Sequence, residues 1–271
     1  MEAQRNEAQR QVLMRFFKTG SGQYGEGDEF LGLKVPHTRQ IARQFSNLPL
    51  DEVPQLLHSR WHEVRLCGLL MLVDRFERAA QHRLVDAPEA IAQRDRVLQM
   101  YLDHAPYANN WDLVDLSAPK VLGHWLLLPT CLSDGKAGLH TDYKLNVLDR
   151  LAQSDNLWLQ RMSIVCTWKP TQQGDPSYCL RYAEHHLHHH HDLMHKAVGW
   201  MLREMGKRVD MDLLRQFLNR HAHEMPRTTL RYAIERMPAH ERHYWIQMKQ
   251  PTGFKDCGSG FTSTEHSPKS P

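Results

Sequence analysis

The sequence predicts an all-α fold, a right-handed α-solenoid of stacked helical hairpins with a concave face. Three observations predict it. Apolar residues recur at helical spacing through most of the chain, valine-rich strand-type alternation is absent, and one motif of a basic residue followed by small and apolar ones returns at a fixed step. The motif reads Arg161-Met-Ser-Ile-Val, Lys196-Ala-Val-Gly-Trp and Arg231-Tyr-Ala-Ile-Glu, and both steps, 161 to 196 and 196 to 231, are 35 residues. Arg65-Leu-Cys-Gly-Leu belongs to the same class. Stacked hairpins produce such a pattern, each layer carrying one polar position onto a shared inner surface.

Taken in order, residues 2–18 read as an amphipathic helix with Val12, Leu13, Phe16 and Phe17 on one face. Gly20-Ser-Gly-Gln-Tyr-Gly-Glu-Gly-Asp28 breaks it; no Lys-Ser/Thr follows and no strand precedes, so neither a P-loop nor a dinucleotide fingerprint is present. The segment is an irregular loop running to Val35, with Pro36 opening the next helix. Helical periodicity then covers 36–46, 51–58, 61–80, 88–104, 110–128, 142–153, 157–168, 176–187, 192–206, 210–221, 227–236 and 239–248. Start signals are Asp86 ahead of Pro88, Thr141-Asp142 and Asp175-Pro176. Asp115 precedes Arg161 by 46 residues, one repeat step and 11 more, and residues 131–141 read as the insertion. One repeat domain over 1–248 is expected, with a disordered Gly/Ser/Thr/Pro-rich tail at 249–271.

Composition excludes several classes. With 34 basic against 31 acidic residues the net charge is only +3, so a nucleic-acid partner has to be held by a local patch. The longest apolar run, Val121 to Leu128, is interrupted by His124 and stopped by Pro129, far short of the roughly 18 to 20 residues of a membrane helix. The N-terminus is polar, without an apolar signal core. Five cysteines, at 67, 131, 166, 179 and 257, show no CxxC spacing, which disfavours disulfides and zinc and points to the cytoplasm.

Chemistry concentrates in Asn110-Trp-Asp-Leu-Val-Asp115. Trp111 and Asp115 stand four apart and share one helical face. A core tryptophan beside a solvated aspartate is the plain reading of these residues alone. Repeat register, however, puts Asp115, Arg161 and Lys196 on adjacent layers, with Trp200 one turn beyond Lys196. One carboxylate and two indoles would share a groove with the cations Arg161, Lys169, Lys196, Arg203 and Lys207, a nucleic-acid footprint. Solvated cations around a core Trp200 are the alternative.

At these residues the chain resembles the AlkD-like DNA alkylation repair glycosylases, a family built from HEAT-like helical repeats, over roughly residues 10–240. Trp111-Asp-Leu-Val-Asp115, Asp155-Asn-Leu-Trp-Leu-Gln-Arg161 and Lys196-Ala-Val-Gly-Trp200-Met-Leu-Arg203-Glu carry the resemblance. It implies an active site of Trp111, Asp115, Arg161 and Trp200, and removal of N3- or N7-alkylated purines from duplex DNA without base flipping, metal or cofactor. A monomer bound to the nucleoid is the matching expectation. The glycine-rich segment 20–28 and the insertion 131–141 depart from the AlkD member. An N3- or N7-alkylated purine is already cationic and leaves without a general acid; one carboxylate, Asp115, suffices to stabilise the oxocarbenium-like sugar and orient water. The indoles would hold the sugar, and Arg161 would fork onto a phosphate. Two rival readings stand beside this one, a catalytically silent binder of bent or branched DNA and a protein-binding scaffold.

Other features read as structural. The run His185-His-Leu-His-His-His-His191, with His195, has His186 and His190 at i, i+4, but no carboxylate or cysteine completes a metal set, so a polar surface turn is expected. Trp61, Trp125, Trp158, Trp168 and Trp245 read as packing residues, Asp112 as a surface or cap residue, and Glu26 and Asp28 as loop anions.

Overall fold

The computed structural model describes residues 1–248, and the expected tail at 249–271 lies outside them. The described residues are helical throughout: α1 (Glu7–Phe16), α2 (Val35–Gln44), α3 (Val53–Leu57), α4 (His62–Ala79), α5 (Pro88–Asp103), α6 (Trp111–Ser117), α7 (Thr141–Ala152), α8 (Leu157–Val165), α9 (Trp168–Gln172), α10 (Ser177–His185), α11 (Asp192–Arg208), α12 (Met211–His221), α13 (Arg227–Ala233) and α14 (Ala239–Gln247). No strand forms among them; pairing is limited to isolated bridges at Glu29–Trp61 and Thr130–Gly138.

Two long helices organise the packing. α4 contacts α2, α3, α5 and α6, and α11 contacts α8, α9, α10, α12 and α13. The small residue of the repeated motif explains the tight crossing of α11 on α13: a Cβ at Gly199 would lie 2.5 Å from the Thr229 carbonyl oxygen and from Tyr232 Cβ. Trp61, Trp125, Trp158 and Trp245 are buried and Trp168 is packed against the core, as expected of packing residues.

Element ends differ from the periodicity where proline and capping intervene. Residues 2–18 split, because Asn6 caps α1 by accepting from the Gln9 amide at 2.9 Å. The stretch 110–128 is one periodic pattern, yet Pro119 cannot supply an amide to the helical ladder. A π turn, Pro119–Gly123, follows, with the Gly123 amide reaching back to the Ala118 carbonyl at 2.8 Å. Residues 157–168 divide between α8 and α9. The insertion is tied down by Asp95, which accepts from Thr130 Oγ1 at 2.5 Å and the Cys131 amide at 2.7 Å. Lys144, fully buried, donates to the carbonyls of Leu126 and Leu128, and burial lowers its ammonium to about 8.

The histidine run is a turn between α10 and α11, but only partly a surface one. His186 is buried, its Nε2 2.8 Å from Ser163 Oγ, and His191 Nδ1 accepts the Leu193 amide at the start of α11. Burial lowers His186 to about 3 and His189 to about 4. His185, His186 and His189 bond to Ala152, Ser163 and Gln160 of α7 and α8, and no group of three or more potential ligands occurs among the described residues.

Candidate active site

A cavity of about 1000 Å³ gathers residues from five parts of the chain. α6 contributes Trp111 and Asp115, α8 contributes Arg161, and α11 contributes Lys196, Trp200 and Arg203. Trp111 and Trp200 are half-buried, packed on the core with part of each ring on the cavity. α13 adds Tyr232, and the end of α1 with the glycine-rich loop adds Phe16, Lys18, Gly22, Gln23 and Tyr24. All four residues of the implied active site therefore share one cavity. Lys196 and Arg203 join them, whereas Lys169 and Lys207 do not line it.

Asp115 and Arg161 form a fork at the cavity wall. Arg161 Nε donates to Asp115 Oδ1 and Nη2 to Oδ2, both at 2.8 Å, and Nη1 donates to the Leu193 carbonyl. The guanidinium is buried, 5% exposed against 19% for the carboxylate. Within the protein alone, the fork expected to meet a phosphate meets Asp115. α6 packs against α8, which brings the two side chains within reach, and a planar five-donor group meets a carboxylate bidentately. Burial pushes the Asp115 carboxyl above the ordinary carboxylate value, Arg161 pulls it back, and Asp112 adds a smaller upward push.

The remaining cations are partly neutralised within the protein. Lys196 Nζ lies 2.7 Å from Asp192, and Arg203 pairs with Glu235 and lies 3.7 Å from Glu204. Lys18 has no ion pair among the described residues and reaches the Tyr24 ring at 6.0 Å.

Three aromatic residues of this wall were not singled out by sequence. Phe16 is 60% exposed, its ring 5.9 Å from Trp111 in an edge arrangement. Tyr24 sits in the glycine-rich loop and packs edge-on against Trp158 at 6.2 Å, so the loop crosses to the start of α8. Tyr232 follows Arg231, the residue marked by the repeat step.

Beneath this wall lies a buried polar cluster that refines two expectations. Asp28 remains a loop anion but is buried, and Asp112, 18% exposed, is drawn against His62 rather than left on the surface. His62 Nδ1 is 2.8 Å from Asp28 Oδ2, and its Nε2 is 2.9 Å from Asp112 Oδ2. Arg65 donates to Asp28 Oδ1, and Asn110 Nδ2 to Oδ2 at 3.3 Å. Asp112 lies about 100° from Trp111 around α6, but α4 occupies that side. Glu26 is exposed and accepts from Ser21 and the Gly22 amide within its own loop.

A family model described as DNA alkylation repair enzyme matches residues 1–237. The chain belongs to that family. Membership points to repair of alkylated DNA as its role and DNA as its partner. Among solved structures, the fold is similar to that of a predicted DNA alkylation repair enzyme from Enterococcus faecalis, with a TM-score of 0.60 and 14% identity over 87% of this chain and 98% of that one. No curated protein matches the chain. No helix among the described residues is long and apolar enough to cross a membrane.

Proposed function

We propose that this family member is a DNA N-glycosylase that hydrolyses the N-glycosidic bond of cationic N3- or N7-alkylated purines in duplex DNA. One observation carries the reading: the carboxylate of Asp115 is fixed bidentately by Arg161 on the wall of a cavity that Trp111 and Trp200 also line, while the other lining carboxylate, Asp192, is paired with Lys196. The substrate brings its own positive charge, so departure of the base needs no proton donor. As the bond lengthens, positive charge grows on the sugar, and a preorganised carboxylate stabilises it without reorganising. Asp115 also accepts a proton from the attacking water. Arg161 acts on this step through Asp115, holding both carboxylate oxygens in place and favouring the ionised form. The indole faces of Trp111 and Trp200 receive the cationic sugar and base.

Under this proposal the helices form a right-handed solenoid whose concave face holds the duplex, as a monomer and with the damaged nucleotide left unflipped. Lys18, Lys196 and Arg203 contact phosphates, the last two by exchanging their internal carboxylates for the DNA backbone. The test is release of free 7-methylguanine and 3-methyladenine from methylated duplex, with binding to undamaged duplex followed in parallel. Release lost in Asp115→Asn while binding persists supports the proposal. Binding without release by the unaltered protein selects the silent binder, and absence of salt-sensitive duplex binding selects a scaffold.

A further inference from the structure

We propose that His62 is a positioning residue for the reaction proposed above: a buried cation that ties the glycine-rich wall of the cavity to the helix bearing Trp111 and Asp115, and that offsets the charge of Asp112 beside Asp115. The inference rests on the glycosylase reading for its catalytic half and on geometry alone for the tie.

His62 opens α4 and is 2% exposed. Both ring nitrogens face carboxylate oxygens, Asp28 at 2.8 Å and Asp112 at 2.9 Å. Ionised carboxylates only accept hydrogen bonds, and a neutral imidazole has one N–H, so both bonds require the doubly protonated ring. Burial works against that proton, but Asp112 and Asp28 outweigh it and hold the ring up to about 9. The charges facing it are Asp28 from the loop and Asp112 from α6, and Arg65 of α4 pairs with the other oxygen of Asp28. Two anions meet two cations, and the cluster closes neutral.

Its placement links the parts of the site. Asp28 ends the loop that supplies Gly22, Gln23 and Tyr24 to the cavity, and Asp112 lies in the first turn of α6. Asn110 caps that helix through the Trp111 amide at 2.9 Å while its amide nitrogen reaches Asp28. A run of rings follows the same route. His62 stacks on Phe30 at 4.6 Å, Phe30 on Phe17 at 5.1 Å, and Phe17 lies 5.5 Å from Trp111. Asp115 is faced by Arg161 from α8, by Asp112 on its own helix, and across the cavity by Lys18, His191, Asp192, Lys196 and Arg203. With the imidazolium gone, the charge of Asp112 would act on Asp115 unopposed.

The test uses the full chain in three forms, His62→Gln, Asp112→Asn and the double variant. Amide hydrogen exchange is followed over residues 18–28 and 110–117. Single-turnover release of 7-methylguanine is followed against pH, with the affinity for undamaged duplex as reference. In His62→Gln both segments are expected to exchange faster together. Release should fall by roughly ten- to a hundred-fold, the scale of a misplaced reacting group, with duplex affinity within about twofold. The acid limb of the release profile should move to higher pH, and Asp112→Asn in the same chain should move it back. If His62→Gln does not fold, the double variant, which buries no unmatched anion, carries the exchange arm. Unchanged exchange in both segments of a folded variant overturns the tie. Loosened segments with an unmoved acid limb overturn the charge role. No release by the unaltered protein overturns the glycosylase reading and with it the catalytic half, while the exchange arm still decides the tie.

Discussion

Replacing Arg161 by methionine keeps the stem of the side chain and removes the fork. Two hydrogen bonds at 2.8 Å to a charged partner are lost, and Asp115 is left unpaired in a mostly buried place. Breaking a buried pair from one side costs about 3–5 kcal/mol. Because Asp115 keeps 19% exposure to the cavity, the low end applies, about 3 kcal/mol, which lowers Tm by roughly 6–12 °C in a chain of this size. The pH dependence separates the roles. Burial raises the Asp115 carboxyl and Arg161 opposes that rise, so without Arg161 the carboxyl titrates higher still. Activity requires the carboxylate and is lost as pH falls through that raised value. Arg161→Met should therefore be slow at neutral pH and recover as pH increases, whereas Asp115→Asn should be slow at every pH. Single-turnover release between pH 5 and 9, roughly the range in which duplex and protein both persist, measures this, with urea unfolding for stability. A deficit in Arg161→Met that does not shrink with rising pH, accompanied by weaker binding to undamaged duplex, would refute the positioning role and restore a phosphate contact.

Three further outcomes follow from the same geometry. His62 is raised from 6.5 to about 9, so its stabilisation is complete below pH 6.5 and lost as pH rises through about 9. Thermal unfolding of the unaltered protein minus that of His62→Gln should show this decline, the subtraction cancelling Lys144, whose lowered value makes its contribution improve above about pH 8. Lys196→Ala should reduce the salt slope of duplex binding by about one and leave Tm nearly unchanged, since its pair with Asp192 is exposed; Lys207→Ala, outside the cavity, should leave the slope as it is. Gly25→Ala would place a Cβ 2.3 Å from the Phe17 carbonyl oxygen, so the Tyr24 loop must shift, at about 1–3 kcal/mol by urea unfolding.

Helix content was legible because 3.6-residue periodicity is local, and the clearest failure is where one residue changed the ladder, at Pro119. The glycine-rich loop was legible as irregular, but its crossing to Trp158 was not, since nothing near Tyr24 in sequence specifies a partner more than a hundred residues away. His62 is the sharper case. Its partners Asp28 and Asp112 lie 34 and 50 residues off, and each looks like an ordinary polar residue because burial is decided by other helices. The register of the repeat was off by one at its last copy: the exposed Arg231 was marked, and Tyr232 lines the cavity.

The repeat register brought Asp115 and Arg161 to one face, but their pairing was not read from it, since Arg161 was assigned to a phosphate. Equivalent positions on packed helices lie about 8–10 Å apart between axes, a gap that an arginine and an aspartate reaching toward each other can close. Opposite charges at successive copies of one repeat position should therefore meet before either meets a ligand. The same reasoning applied one layer on gives the reverse. Arg161 and Lys196 are like charges on packed helices, so Lys196 should turn away, and it does, pairing with Asp192 one turn back on α11. A charge reversal tests the rule: Lys196→Glu should draw Arg161 from Asp115 and impose a deficit in release that raising the pH relieves, although position 196 lies on a different helix from the carboxylate. An intact acid limb in that variant would mean that the fork is held by α6 and α8 alone.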